Sequence, residues 1–244
     1  MTDPIPNTLQ QRYQSVLNRI HKAEAASNRA AGGVSLLAVS KTKSVAEIAS
    51  LANLGQRCFG ENYLQEALRK IDRLRDRALE WHFIGRIQSN KTRPIAENFS
   101  WVHSLASLKH ATRLSEQRPP HLPPLNICLQ VNTSGETSKD GYSEARLREE
   151  FEAYTRLPNI RIRGLMTIPA PAAEETAQHR PFERLRLLRD ELQLAQTPLD
   201  TLSMGMSEDL EAAIAEGATI IRIGTAIFGP RHYNQRGSHP SKAG

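Results

Sequence analysis

The feature that most constrains this chain is an unbroken alternation of strand-like and helix-like segments. Eight strand candidates follow one another: Ser35–Lys41, Arg57–Glu61, Trp81–Gly85, Trp101–Leu105, Leu125–Asn132, Ile160–Ile168, Thr201–Met206 and Ile220–Phe228. Helical patterns separate them, at Val45–Leu54, Leu64–Ala78, Lys91–Asn98, Leu108–Gln117, Glu144–Arg156, Glu175–Ala195 and Asp209–Ala215. Most of the strands read as continuous apolar runs, as when both faces of a sheet are covered. Eight parallel strands with intervening helices predict a single (β/α)8 TIM barrel, and a chain of 244 residues suits it. An open doubly wound sheet would want a GxGxxG loop after its first strand. Ser40-Lys41-Thr42-Lys43 stands there instead, without a glycine.

One amphipathic helix, Thr8–Ser27, precedes the barrel, with Leu9, Tyr13, Val16, Leu17, Ile20 and Ala23 at helical spacing. Residues 1–230 therefore read as one barrel domain. The polar, basic stretch 231–244 reads as a disordered tail. The start lacks a signal-peptide pattern, and no apolar run is long enough to span a bilayer, so a cytoplasmic protein without a membrane partner is expected. The net charge of +6 raises the question of nucleic acid. Its basic residues interleave with acids, as in Glu183-Arg184-Leu185-Arg186, which favours solvated helix faces over a nucleic-acid surface. Cys58 and Cys128 read as reduced buried thiols, and without CxxC or HExxH no metal site is expected.

Function in such a barrel gathers at the C-terminal strand ends. Leu37, Val39 and Lys41 share a strand face, which aims Lys41 into the mouth if the other two fill the barrel. There, partly desolvated beside Lys43, it can be a neutral amine able to attack an aldehyde; a solvated rim lysine is the alternative. Asn62 is either a contact to a ligand ring or a helix cap. His82 reads more readily as a hydrogen-bonded core residue than as a catalyst. Met166 either floors a flat ring or packs the core. Lys139, in the loop after strand five, is either a second amine near the mouth or simply solvated.

The last two strand ends are the most informative. Gly205 and Gly224 let backbone N–H groups approach an anion, while Ser207 and Thr225 add hydroxyls, and Ser207 can cap a helix starting at Glu208. Phosphate sites in these barrels form at this place. Arg222 shares a strand face with Gly224 and would be buried, so it needs a partner, either a ligand atom or Glu61.

The stretches Leu36–Lys43, Phe59–Glu66, Trp81–Gly85 with Gln88–Lys91, Arg163–Met166, Leu202–Ser207 and Arg222–Gly229 resemble the pyridoxal phosphate homeostasis proteins, over about Leu36 to Gly229. The resemblance implies a barrel like the N-terminal domain of alanine racemase. It implies pyridoxal 5′-phosphate held as a Schiff base on Lys41. Ser207, Gly224 and Thr225 would hold the phosphate with Ser203 and Met204 nearby, Asn62 and His82 would line the site, and Arg222 would face the pyridine nitrogen. Arg86, Asp140 and Tyr142 depart from the residues commoner in that family, at positions read as rim loops.

The same resemblance implies a non-catalytic carrier or regulator in vitamin B6 and amino-acid homeostasis, with apo-enzymes as possible recipients. The alternative is a pyridoxal phosphate enzyme such as a weak amino-acid racemase. Two considerations favour the carrier. Arg222 would donate to an unprotonated ring nitrogen and so weaken the electron sink. Racemisation also needs a second acid or base, which alanine racemase draws from a further domain, whereas the barrel uses up this sequence. No long apolar surface stripe is evident, so a monomer is expected.

Overall fold

The computed structural model describes residues 8–134, 140–172, 174–193 and 198–230. Lys139 and the 231–244 tail lie outside these residues. Eight parallel strands close into a barrel in sequence order. They are β1 (Ser35–Val39), β2 (Cys58–Glu61), β3 (Glu80–Phe83), β4 (Trp101–Leu105), β5 (Leu125–Gln130), β6 (Ile160–Met166), β7 (Thr201–Ser203) and β8 (Ile220–Ile223). The helices are α1 (Leu9–Ala26), α2 (Val45–Asn53), α3 (Leu64–Arg73), α4 (Thr92–Asn98), α5 (Leu108–Gln117), α6 (Glu144–Thr155), α7 (Glu175–Leu192), α8 (Leu210–Ala215) and α9 (Thr225–Phe228). The predicted barrel and its leading helix are thus both present.

Each strand buries two faces against different surroundings. The outward face meets the helices in one large apolar core that includes Leu36, Ala38, Phe59, Phe83, Val102, Ile127, Ile162 and Ile223. The inward face carries a second, small apolar cluster of Trp101, Cys128 and Met166. Beside it lie buried polar residues, among them His82, His103, Ser203 and Arg222. This barrel is filled by a polar chain as much as by branched aliphatics, and that chain leads to the site.

Two irregularities set which residues face inward. The pairing of β4 with β5 shifts between Val102 and Leu105. That of β5 with β6 shifts between Ile127 and Cys128, so that Cys128 pairs with Gly164 and Arg163 is the extra residue. Helix α1 packs on α8 and α9. Its Tyr13, Val16, Ile20 and Ala23 are buried, and Arg12 Nε donates to the Ile227 carbonyl at 2.7 Å. A capping box closed by Thr8 and Gln11 starts α1.

The predicted eighth strand, Ile220–Phe228, is cut short. β8 ends at Ile223 and Thr225–Phe228 forms the single-turn α9. Gly224 is the turning point, where the Ile227 and Phe228 N–H groups both return to its carbonyl. The predicted cap by Ser207 is also replaced. Helix α8 begins at Leu210 after Asp209, and the Asp209 carboxylate instead accepts the Met206 N–H at 2.6 Å.

Candidate functional site

A cavity of about 240 Å³ opens at the C-terminal end of the barrel, lined by Val39, Lys41, Asn62, Ile84, Met166, Ile168, Met206, Ser207, Arg222, Gly224 and Thr225. Seven of the sequence-predicted residues meet here: Lys41, Asn62, Met166, Ser207, Arg222, Gly224 and Thr225. Two larger hollows adjoin it. One of about 520 Å³ shares Asn62, Ile84 and Ile168 and is also lined by Arg86, His110 and Asp140. The other, of about 510 Å³, shares Met206, Ser207 and Thr225.

Lys41 sits two residues past the end of β1, in a turn closed by the Lys43 N–H on the Ser40 carbonyl at 3.0 Å. The next residue, Thr42, has φ of 65°, a left-handed conformation that a β-branched residue adopts only under constraint. The constraint comes from α3. Glu66 Oε1 accepts the Thr42 N–H at 2.6 Å, and Lys70 Nζ donates to the Ser40 carbonyl at 2.7 Å. Lys70 is itself held by Glu61 at 2.8 Å and by Glu66. Glu61 is fully buried and accepts the Ser40 hydroxyl at 2.6 Å. Burial raises its carboxyl pKa, against the opposing pull of Lys70. Lys41 is therefore carried on a clamped turn.

Lys43, expected beside Lys41, turns away. Its ammonium donates to the Phe228 carbonyl at 3.3 Å and lies over the Phe228 ring. Glu61, offered as a partner for Arg222, belongs to Lys70. Arg222 bonds Ser203 Oγ at 2.9 Å and the Thr167 carbonyl at 2.8 Å. Burial lowers its pKa to about 10, so it remains a cation at neutral pH. Asn62 does not cap a helix, because Tyr63 occupies the N-cap position of α3. Its Oδ1 is buried with no hydrogen-bond partner among the described residues. Such an atom is costly to leave unmatched and faces a cavity in which a ligand can match it.

The remaining three predicted residues sit behind this lining. Met204 is fully buried in the outer core. Ser203 and His82 are buried in the barrel interior. Ser203 Oγ is 2.7 Å from His103 Nδ1, His103 Nε2 is 2.9 Å from His82 Nδ1, and His82 Nε2 is 2.8 Å from Glu80 Oε1. His82 stacks on Trp101. His103 is the residue that reasoning from sequence missed. Its spacing of two from Trp101 was the available signal.

Cys58 donates to the same Glu80 oxygen at 3.6 Å. The ligand atoms of Cys58, Glu80 and His82 lie within 4.8 Å of one another, and these hydrogen bonds account for the grouping. Cys58 is only partly buried, unlike Cys128; burial, with Glu80 adding, pushes its thiol up to about 12. Of the departures from the family pattern, Arg86 and Asp140 do lie at the rim. Tyr142 does not: it is buried and its hydroxyl bonds Tyr154 and Glu150.

Burial lowers the pKa of His82 and, further, of His103, where His82 and Arg222 add to the effect. Both rings are thus held neutral in the fold, and His110 is shifted the same way. Above about pH 6.5, the ordinary histidine value, folded and unfolded chains bind equal numbers of these protons. As the pH falls below it, the unfolded chain takes up protons that the fold refuses, so stability is lost with acidity. The urea midpoint should therefore drop between pH 7.5 and 5.5. A flat profile over that window contradicts neutral buried histidines.

The chain matches the family model for the alanine racemase N-terminal domain over residues 18–232. It is 59% identical over 227 residues to a pyridoxal phosphate homeostasis protein of Pseudomonas aeruginosa, spanning 93% of this chain and 97% of that one. It is 46% identical to the protein of that name from Escherichia coli, over 94% of this chain and all of the other. Among solved structures, PipY of Synechococcus elongatus with pyridoxal phosphate bound superposes with a TM-score of 0.76 at 39% identity, covering 86% of this chain and 100% of PipY. Among the described residues, no helix is long and apolar enough to cross a membrane.

Proposed function

This chain belongs to the family of pyridoxal phosphate homeostasis proteins, within the alanine racemase N-terminal-domain fold, and from that premise we propose that it binds pyridoxal 5′-phosphate in the barrel mouth and carries it without turnover. The observation that carries this reading is the meeting of an amine, a buried guanidinium and two hydroxyls in one cavity. The donor set suits the cofactor. Lys41 supplies the amine for a Schiff base with its aldehyde. Ser207 and Thr225, whose hydroxyls line the cavity beside Gly224, suit its phosphate. Arg222 suits the ring nitrogen, Met166 and Ile84 suit the ring faces, and the unmatched Asn62 Oδ1 suits a polar substituent.

When bound, the cofactor supplies an aldehyde and an electron-withdrawing ring. This chain's residues bind and orient it, and they damp its reactivity. Arg222 is a permanent donor with no acceptor capacity, so it favours an unprotonated ring nitrogen. Among the described residues lining the cavity, Lys41 and Arg222 are the titratable ones. A two-base proton transfer at a substrate carbon finds one exchangeable group there, which supports carriage over racemisation. The flanking hollows leave the mouth open, which suits exchange with solvent and with recipient apo-enzymes in a cytoplasmic vitamin B6 pool.

Exchange of the alanine α-proton into deuterium oxide tests this directly. The loaded protein should catalyse it no faster than free pyridoxal phosphate. Sustained exchange well above that background makes the protein an enzyme instead.

A further inference from the structure

The polar chain inside the barrel has a direction, and its two ends fix it once both rings are neutral. Arg222 Nη1 lies 2.9 Å from Ser203 Oγ. From there the contacts run through His103 and His82 to Glu80, at 2.7, 2.9 and 2.8 Å. A guanidinium can only donate and a carboxylate can only accept. With both rings neutral, Ser203 Oγ accepts from Arg222 and gives its own hydrogen to His103 Nδ1. The His103 proton is then on Nε2 and goes to His82 Nδ1. The His82 proton is likewise on Nε2 and goes to Glu80. Every hydrogen points away from the mouth, and both rings are neutral.

A second proton on either ring undoes this arrangement. On His82 it would set two N–H groups against each other unless His103 moved its own proton to Nδ1, against Ser203. On His103 it would face the Ser203 hydroxyl, which would have to give up its donation. The chain also accounts for Ser203: its hydroxyl is committed within the barrel and fully buried, so it is not spare for a phosphate. Glu80, at the first residue of β3 and thus at the base of the barrel, is 44% exposed and ends the chain at solvent. The Glu80 carboxyl is held below its ordinary value, chiefly by the His82 hydrogen bond.

We propose that His103 and Ser203, backed by His82 and Glu80, are positioning residues that hold Arg222 as a fixed cationic donor toward the cofactor ring nitrogen. The inference rests on the reading of the cavity as a pyridoxal phosphate site with Arg222 at that nitrogen. Ser203 Oγ and the Thr167 carbonyl tie one N–H on each terminal nitrogen of the guanidinium. Its plane is thereby set, and its other N–H groups remain for the cavity. The state of the ring nitrogen is then governed from the opposite end of the barrel.

Nitrogen NMR on the full chain, with ring-labelled pyridoxal phosphate, tests the inference. Both histidines should be neutral with the proton on Nε2, and the ring nitrogen should be unprotonated. Ser203→Ala should move the ring-nitrogen signal and speed cofactor release about tenfold, the loss of one charge-assisted hydrogen bond. Ser203→Thr should restore both. A proton on His103 Nδ1, or a ring signal unmoved by Ser203→Ala, overturns the proposal. If the wild-type protein takes up no cofactor, the cavity reading fails separately. The histidine tautomers, read without cofactor, still decide whether the chain runs as stated.

Discussion

Lys41→Ala should be colourless after saturation with pyridoxal phosphate and gel filtration, where the wild type should carry an absorbance at the edge of the visible. Borohydride should fix the cofactor mass on the Lys41 peptide of the wild type and on no peptide of the variant. Lys41 is the one lysine lining the cavity among the described residues. Lys43 is turned onto the Phe228 carbonyl, and Lys70 is buried with Glu61 and Glu66. Among the described residues no neighbouring amine stands ready to substitute. Ser207, Thr225 and Arg222 remain in the variant, so weak non-covalent uptake should persist and separate loss of the bond from loss of the pocket. The same absorbance surviving in Lys41→Ala would remove the central claim.

Gly164→Ala should lower stability by about 3 kcal/mol or more, through backbone overlap in a packed sheet. A Cβ on Gly164 would stand 1.7 Å from the Thr201 carbonyl oxygen on the neighbouring strand. That oxygen belongs to the β6–β7 ladder and cannot swing aside. The strands would have to part beside Ser203 and Met166, so cofactor uptake should fall with stability. The melting temperature should drop by roughly 6–12 °C for a chain of this size. Gly60→Ala is the comparison. Its Cβ would meet the side-chain ends of Ile84 and Leu37 at 3.2 Å, which can give way, so a smaller loss is expected. Equal melting temperatures for Gly164→Ala and wild type would refute the overlap argument.

The barrel was legible because its signal is repetitive. Eight apolar runs separated by helical patterns leave few alternatives, and Lys41, Arg222 and the glycine-flanked hydroxyls of the last two strands stood at ends where such barrels do chemistry. What stayed hidden depends on register and on partners distant in sequence. His103 shares the Trp101 face at a spacing of two, but the shift between Val102 and Leu105 ends that alternation within the same short strand, so the signal was brief. Lys70 sits on a helix that reads as charged surface, yet its side chain is buried against Glu61. Ile220–Phe228 reads as one apolar run, and only the turn at Gly224 divides it into strand and helix. Ser203 and His82 were named for the right neighbourhood, but they lie behind the cavity lining.

The left-handed turn at Thr42 bears on how the cofactor would leave. A glycine there would cost nothing in backbone strain and would make the arm bearing Lys41 a free hinge. Threonine, clamped through Glu66 and Lys70, makes it a rigid post. A cargo hung on such a post is not swung out to a recipient. It has to be unhooked where it hangs, by water or by an incoming amine arriving through the open mouth. Handover would then be paced by traffic through the doorway and not by motion of the lysine.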